Sequence, residues 1–381
     1  MKRTMKKMVS MALTGTMAVA VLAGAGTSEV KAADKAKIGV LVADVSGEEA
    51  QGFRSYYENY IAGNYDVEFN YTDALQSAED EKTAIEKFAS QGCQAIISFS
   101  SNDRVQQIET CEKYGVYYAV ASGVLDDAQY ETYKIYEYFA GQVGPGNDTE
   151  FEAGKDMGAY YKEQGVSKVA IYGAFIPNPM HVYRVAGVLN GLGCTYGGES
   201  DMNAIAGQIF QDQTVDLSKV EGDVEVVSYL QGYGDTTTDE LNAAIQKTPD
   251  AFISVGMATT FFAQSLSEAG ISFSDIDSFT ETNGNSMKNG TLTYLAGKYS
   301  SSIGPVFALV MNAINGNVIR DEDGNAPSIS QGYLVATDSD TFDKYSVSDS
   351  GDAPIYDKET LDSIIGDNVT FEDVKTLVES K

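Results

Sequence analysis

Residues 37–61 read KIGVLVADVSGEEAQGFRSYYENYI and contain one complete strand-and-helix unit. The apolar run at 37–42 predicts a buried strand, and the polar break after it predicts a turn. From Gly47 to Ile61 the aromatic residues recur at close to helical spacing, which predicts a helix. Because the strand is apolar along its whole length, we expect it to be covered on both faces, as in a parallel sheet.

Further units of the same kind follow along the chain. Strands are predicted at 65–71, 95–99, 116–120, 133–139, 168–172, 224–230, 251–255, 278–280, 292–295 and 332–336, with helices between most of them. This alternation predicts an α/β fold, and a length of 381 residues favours two lobes over a single core. The glycine-rich stretch at 141–148 (GQVGPGND) is the best candidate for a connection between the lobes.

The first 32 residues have the pattern of an export signal. A basic segment at 2–7 (KRTMKK) precedes an apolar segment at 8–26, and 30–32 (VKA) has the small residues of a cleavage site. We therefore expect export with cleavage after Ala32, or retention of the apolar segment as a membrane anchor. At 22–25 (LAGA) alanine stands where a lipoprotein carries its acylated cysteine, so we expect no lipid anchor.

Composition limits the classes of function. The net charge of −29 repels nucleic acids and anionic membranes, so we expect neither as a partner. With one histidine, no cysteine spacing typical of zinc and no GxSxG motif, we expect no metal, no cofactor and no enzyme. Cys93 and Cys111 are close enough in the predicted sheet to be bonded, although two buried free thiols are favoured.

The order of these segments resembles the type I periplasmic solute-binding proteins, the ribose- and galactose-binding-like family. The resemblance covers residues 35–336 and rests on IGVLVAD (38–44), AIISFSS (95–101), VGPGNDTEFEAGKDMGAYYKEQG (143–165), YRVAGV (183–188) and TPDAFISVGMATTFFAQSLSEAG (248–270). It implies two doubly wound parallel-sheet lobes joined by a three-segment hinge, with crossings near 141–146, 281–283 and 329–333. The N-terminal lobe is then 33–141 plus 283–331, and the C-terminal lobe with its acidic tail is 142–282 plus 332–381.

The resemblance also implies a function. It predicts an extracellular or cell-envelope protein, periplasmic in a Gram-negative cell, that closes on a small polar solute and delivers it to an ABC transporter permease, as a monomer. Ligands of open α/β sheets bind beyond the carboxyl ends of the strands. The candidate ligand-binding residues therefore follow predicted strands or open the next helix: Asp44, Ser46, Ser101, Asn102, Ser122, Phe175, Asn178, His181, Tyr233, Asp235, Met257, Glu281 and Asn283.

Each candidate has an ordinary structural alternative. Asp44 and Asn102 are also typical helix caps, Ser122 is typical of a turn, and His181 is as well suited to capping or to the surface. The acidic candidates favour neutral or cationic ligands over anions.

The sequence departs from the sugar binders of this family at several points. Residues 255–257 (VGM) stand where those proteins usually carry an Asn-Asp pair, 180–182 (MHV) stand where a cation is usual, and there is no tryptophan. The first candidate for the ligand is a sugar or sugar-like solute, and nucleosides and amino-acid-like solutes are the alternatives. An extracellular sensor that presents its closed lobes to a receptor is the alternative to transport.

Overall fold

The computed structural model describes residues 35–234, 236–348 and 353–381. The predicted export signal lies outside the described residues, and so does Asp235. From Lys35 onward the chain forms one compact unit. Within the described ranges, no helix is long and apolar enough to cross a membrane.

The strands alternate with helices through most of the chain, as the sequence predicts. In chain order the strands are β1 (Ala36–Leu41), β2 (Val67–Tyr71), β3 (Ala95–Ser98), β4 (Tyr117–Ala121), β5 (Phe139–Gly144), β6 (Lys168–Tyr172), β7 (Thr195–Tyr196), β8 (Val220–Glu221), β9 (Glu225–Leu230), β10 (Ala251–Ser254), β11 (Ser272–Ser278), β12 (Leu292–Lys298), β13 (Ser328–Ser330) and β14 (Leu334–Ala336).

The helices lie between the strands and at the C-terminal end. They are α1 (Glu48–Ser55), α2 (Ala62–Asn64), α3 (Ala78–Ser90), α4 (Arg104–Tyr114), α5 (Asp127–Tyr133), α6 (Asn147–Glu163), α7 (Pro179–Gly191), α8 (Met202–Asp212), α9 (Thr237–Gln246), α10 (Ala258–Ala269), α11 (Glu281–Lys288), α12 (Gly304–Ile314), α13 (Ser339–Ser348), α14 (Lys358–Asp362) and α15 (Phe371–Glu379). A π-helical segment, Tyr56–Ile61, joins α1 to α2.

Two six-stranded sheets define the two lobes. The first has the order β13-β5-β4-β3-β1-β2, and all of its pairs are parallel. The second has the order β14-β12-β11-β10-β6-β9 and is parallel except for the β12–β14 pair. Strands that neighbour each other out of sequence order are typical of doubly wound sheets, so the predicted α/β class is confirmed.

Both faces of the first sheet are buried, which explains why its strands are apolar throughout. Ile38 and Val40 of β1 face one core, which also contains Phe307 of α12. Leu41 faces a separate core on the other side of the sheet, together with Phe88 of α3. Alternate side chains of a strand point to opposite faces, so a strand that is covered on both faces has no polar stripe.

The second lobe owes its close helix packing to glycine. Helices α6 and α7 lie against each other, and a side chain at Gly187 would collide with the carbonyl oxygen of Phe151. Gly154 likewise faces the backbone of Arg184 at close range. The absence of β-carbons at these positions therefore allows the two helix backbones to approach each other.

Two strand predictions are wrong, and one predicted connection differs in length. Residues 133–139 are not a strand, because Tyr133 ends α5, where its hydroxyl donates to Glu109 Oε1 at 2.8 Å, and the strand begins only at Phe139. The connection predicted at 141–148 does pass between the lobes, but it is shorter than predicted, since only Pro145 and Gly146 lie outside β5 and α6. The short strand predicted at 278–280 is the end of the longer β11.

The lobe boundaries also differ from those predicted. Residues 281–283 are not a crossing but the first turn of α11, since Thr280 caps this helix by accepting from Asn283 N–H at 3.2 Å. Strand β12 pairs with β11, so 292–298 belongs to the second lobe and the chain crosses after it. The other predicted crossings, at 141–146 and 329–333, lie beside the points where the chain leaves β5 and β13.

The C-terminal tail packs on the first lobe rather than on the second. Tyr356, Leu361 and Val374 belong to the core of the first lobe, whereas Phe342 of α13 belongs to the core of the second. Asn312 of α12 fixes the tail by donating to the carbonyl oxygen of Ile364 at 2.8 Å. The described residues before and after 349–352 therefore belong to different lobes.

Candidate functional site

The carboxyl ends of the first-lobe strands surround a cavity of about 240 Å³. Its walls come from the exits of β1, β3 and β4 and from one face of α1. They contain aromatic, charged and hydroxyl side chains, among them Asp44, Phe53, Arg54, Tyr71, Phe99 and Ser122. This is the edge at which an open α/β sheet binds ligands.

Aromatic rings form much of this first-lobe cavity. The rings of Phe53 and Phe99 stack with centroids 5.4 Å apart at an interplanar angle of 24°. The guanidinium of Arg54 lies 4.5 Å from the centroid of the Tyr71 ring and forms an ion pair with Glu58 at 3.0 Å. The cavity thus offers apolar ring faces beside a planar cation, a combination suited to a molecule with both apolar and polar faces.

The hydroxyl of Tyr71 is the least satisfied polar group of this cavity. It is buried and has no hydrogen-bond partner among the described residues. Burial and the charge of Glu58 raise the pKa of Tyr71 above its ordinary value, so the hydroxyl stays protonated. A buried hydroxyl without a partner costs free energy that a ligand oxygen or nitrogen would recover.

A second cavity, of about 390 Å³, lies between the two lobes; we call it the interlobe cavity. Its first-lobe wall is the start of α1, and its second-lobe wall is the end of β11, the start of α11 and the end of β12. The lining residues include Glu48, Glu49, Phe53, Ser278, Phe279, Glu281, Lys298 and Tyr299.

Lys298 joins the lobes across the cleft. Its ammonium donates to Ser122 Oγ of the first lobe at 3.1 Å and lies 3.7 Å from Glu49 Oε1. Thr282 Oγ1 of α11 also donates to Glu48 Oε1 of α1, at 2.8 Å. Polar contacts thus bridge the cleft in this conformation, although few of them are buried.

The charge distribution of the cleft also acts on Asp277, near the end of β11. Burial, reinforced by the negative charge of Glu49, raises the pKa of Asp277 to about 6. Asn283 Nδ2, at 3.3 Å from its carboxylate, and the nearby Lys298 oppose this shift. Burial is thus the main cause of the raised pKa of Asp277, and the charge of Glu49 adds to it.

A buried ion pair holds the second-lobe side of the hinge. Arg184 Nε donates to Glu150 Oε2 at 2.6 Å, and Arg184 Nη1 donates to the carbonyl oxygen of Val255 at 2.8 Å. The hydroxyl of Tyr333, between β13 and β14, donates to Glu150 Oε2 at 2.9 Å. Burial alone would lower the pKa of Arg184, but Glu150 and the Tyr333 hydroxyl keep it above its ordinary value.

Three of the predicted site residues line the two cavities. Asp44 and Ser122 line the first-lobe cavity, and Glu281 lines the interlobe cavity. Asp44 also accepts from the backbone N–H groups of Ser46 and Gly47, both at 2.9 Å, and these bonds lower its pKa. Ser46 itself is exposed and donates its hydroxyl to Asp44 at 3.0 Å.

Other first-lobe and α11 candidates have structural partners. Asn102 donates to the buried carboxylate of Glu81 at 3.0 Å, and its neighbour Ser101 is exposed. Asn283 is buried and donates to the carbonyl oxygen of Ser278 at 2.8 Å. Asn102 and Asn283 therefore make structural hydrogen bonds, and α4 is capped by Asp103 rather than by Asn102.

The remaining candidates follow the second-lobe strands. Asn178 caps α7, while His181 is buried and its Nδ1 accepts from Phe175 N–H at 3.2 Å. Burial and the neighbouring Arg184 lower the pKa of His181 to about 4. Phe175, Tyr233 and Met257 are exposed, and the Tyr233 ring stacks on that of Phe261 with centroids 4.1 Å apart.

Several residues that line the two cavities were not among the candidates predicted from the sequence. Phe53, Arg54, Tyr71 and Phe99 lie on α1 or at strand ends, where aromatic residues are typical of a core. Lys298 is a lysine at the carboxyl end of a buried strand, and that position alone was a usable signal.

Among the described residues, no group of three or more histidine, cysteine, aspartate or glutamate side chains could hold a metal ion. Cys93, Cys111 and Cys194 are free and buried, so the preference for free thiols at Cys93 and Cys111 is confirmed. Burial raises the pKa of each of these thiols.

No protein-family model matches the sequence, and no curated protein sequence matches it. Solved structures do match. One is an ABC transporter solute-binding protein from Bacillus halodurans C-125 with bound myo-inositol, at a TM-score of 0.58 and 16% identity, covering 83% of this chain and 99% of that one. Another is an ABC transporter periplasmic solute-binding protein from Actinobacillus succinogenes 130z with bound D-allose, at a TM-score of 0.59 and 16% identity. The match covers 82% of this chain and 100% of that one.

A third match is the Caulobacter myo-inositol binding protein with bound myo-inositol, at a TM-score of 0.57 and 13% identity, covering 81% of this chain and 95% of that one. At such identities the likeness establishes the fold. The chain has the fold of the type I periplasmic sugar-binding proteins of ABC transporters, as the sequence resemblance predicts.

Proposed function

We propose that this protein is the extracellular substrate-binding protein of an ABC importer. It captures a small polar solute, a sugar or sugar-like molecule, in the cleft between its lobes and encloses it by hinge closure. The observation that carries the proposal is the first-lobe cavity, in which stacked Phe53 and Phe99 lie beside polar groups at the carboxyl edge of a parallel sheet.

The chemistry of this cavity suits a sugar ring. The C–H faces of a sugar are apolar and pack against aromatic rings, while its hydroxyls need both donors and acceptors. Arg54 supplies donors, Asp44 supplies acceptors, and the hydroxyls of Tyr71 and Ser122 supply both. The aromatic faces that these proteins often take from tryptophan come here from phenylalanine and tyrosine.

Closure follows from the position of the cavity at the cleft. A ligand that contacts both lobes binds the closed state more tightly than the open one and therefore shifts the population towards closure. Lys298 already bridges the lobes through Ser122 and Glu49, so a ligand in the first-lobe cavity has a second-lobe cation within its reach.

The structural neighbours support the class of ligand and the transport role, since those proteins belong to ABC transporters and were solved with myo-inositol or D-allose. Export and delivery to a permease rest on the predicted leader and on this likeness. The role is one of binding rather than catalysis, and the protein acts as a monomer.

A thermal-shift screen against pentoses, hexoses and inositols tests the proposal. A solute at a hundred times its dissociation constant adds about 2.7 kcal/mol to the free energy of unfolding. The variant Phe53→Leu should lose most of this gain, whereas Phe371→Leu, an equivalent change at the start of α15, should keep it. A folded protein that no sugar or inositol stabilises would contradict the proposal.

A further inference from the structure

Acidic side chains from two helix N-termini line the interlobe cavity. Glu48 and Glu49 occupy the first turn of α1, and Glu281 occupies the first turn of α11. A helix N-terminus attracts negative charge, and here glutamates of the chain itself already supply it. An anionic ligand would therefore meet repulsion rather than a vacant positive end.

The positive charge of this cavity does not balance its carboxylates. Among the described residues that line it, Lys298 is the one cation, and its ammonium is shared between Ser122 and Glu49. Glu48 accepts a neutral hydrogen bond from Thr282, and Glu281 has no described ion pair. Three carboxylates against one ammonium leave the lining of the cavity about two positive charges short of neutrality.

Two buried oxygens give an independent indication of a missing donor. Ser278 lines the cavity, is 5% exposed, and its hydroxyl has no hydrogen-bond partner among the described residues. Asn283, in the adjoining turn, is 1% exposed, and its Oδ1 accepts no described hydrogen bond. Buried acceptors are normally satisfied, so a group that brings N–H donors to this end of β11 would stabilise it.

The aromatic part of the wall fits the same kind of group. Phe53 and Phe279 line the cavity from opposite lobes. An ammonium near such ring faces is attracted by their negative π surfaces, whereas a carboxylate is not. Carboxylates, buried acceptors and ring faces thus all favour one chemistry.

We infer that the captured solute carries an ammonium group, as an amino sugar does, and that this group lies in the interlobe cavity near Glu281 and Ser278. The inference rests on the proposed function and specifies its ligand. Lys298 provides an internal precedent, since an alkylammonium of the chain already lies beside Glu49 in this cavity.

Isothermal titration calorimetry of the full chain with matched sugars tests the inference. The probes are glucosamine, galactosamine and mannosamine, each beside its neutral hexose, with glucuronate and galacturonate as anionic members. The buffer is at about pH 6.5 and low salt, where an alkyl amine is protonated and screening is weak. We expect at least one amino sugar to bind about tenfold more tightly than its parent, the gain expected of a charge-assisted hydrogen bond.

Variants locate the effect. Glu281→Gln should reduce the amino preference to about twofold or less, and Ser278→Ala should reduce it in the same direction. Glu372→Gln, an exposed first-turn glutamate of α15 outside the cleft, is the matched control and should leave the preference unchanged.

Each other outcome overturns the inference. If neutral hexoses bind as tightly as their amino counterparts, or uronates bind most tightly, the ligand does not carry the inferred ammonium group. The proposed function stands in that case. If the preference exists but survives Glu281→Gln, the placement in the interlobe cavity is wrong. If no sugar of any charge binds, the proposed function fails together with the inference.

Discussion

The buried ion pair between Glu150 and Arg184 yields the sharpest stability prediction. Their side chains are 3% and 4% exposed, and they meet at 2.6 Å. In Glu150→Ala the guanidinium remains buried without its counter-charge, and the hydroxyl of Tyr333 loses its acceptor. Removing one partner of a buried pair costs about 3–5 kcal/mol, mainly because of the charge left behind.

Urea unfolding followed by far-UV circular dichroism measures this loss. With an m-value of about 3 kcal/mol per molar, the transition that includes the second lobe should move down by roughly 1 M or more. Glu150→Gln keeps one acceptor oxygen for Arg184 or Tyr333, so it should lose less, about 2 kcal/mol.

A double variant separates lost charge pairing from lost packing. Glu150→Leu with Arg184→Met removes both charges and retains apolar volume, so its stability should recover to within about 2 kcal/mol of the parent. A Glu150→Ala variant within about 1 kcal/mol of the parent, or a double variant less stable than Glu150→Ala, would contradict this role of the buried ion pair.

Three further results follow from the same structure. His181 is the only histidine in the sequence, so its imidazole NMR signal should titrate with a pKa near 4, and a value near 6.5 would show that the ring is solvated. The folded-state pKa of Asp277, about 6, lies above its unfolded value, so stability is lost as pH rises through the window from about 4 to 6. In thermal unfolding, Asp277→Asn should therefore have a higher Tm than the parent at about pH 8 but not at about pH 4. A higher Tm at about pH 4 and not at about pH 8 would contradict a raised pKa of Asp277. Gly187→Ala should cost about 2 kcal/mol in urea unfolding because its β-carbon meets the Phe151 carbonyl, whereas Gly207→Ala in α8, where nothing lies within 4 Å, should cost nothing.

Local pattern was enough to predict most strands because both sheets are covered on both faces. The segment at 168–172 was predicted with the observed bounds of β6, since an apolar run of that length fits little else. The aromatic segment at 133–139 was misassigned, because Tyr133 is buried from a helix rather than from a strand. Residue type alone does not distinguish these two ways of burying a ring.

The apolar pattern of a segment does not show to which lobe the segment belongs. Strand β12 and the tail each have apolar faces that fit either core, and only pairing with β11 or contact with α12 decides between them. These contacts join residues far apart in the sequence, so they depend on the assembled fold.

The site residues that could be predicted from the sequence are those that directly follow a strand. Asp44, Ser122 and Glu281 were selected because they follow strands, and the structure places them at the cavities. Phe53 and Phe99 were not selected as site residues, because aromatic residues of a helix or strand usually pack inside. Their exposure to a cavity arises from the space left between α1 and the strand ends, which no sequence pattern reports.

Small-angle X-ray scattering of the protein with and without its best-binding sugar measures closure of the lobes itself. Saturating sugar should reduce the radius of gyration as the lobes close, and Phe53→Leu at the same sugar concentration should keep the larger value. A sugar that binds tightly while the radius of gyration stays unchanged would contradict capture by hinge closure.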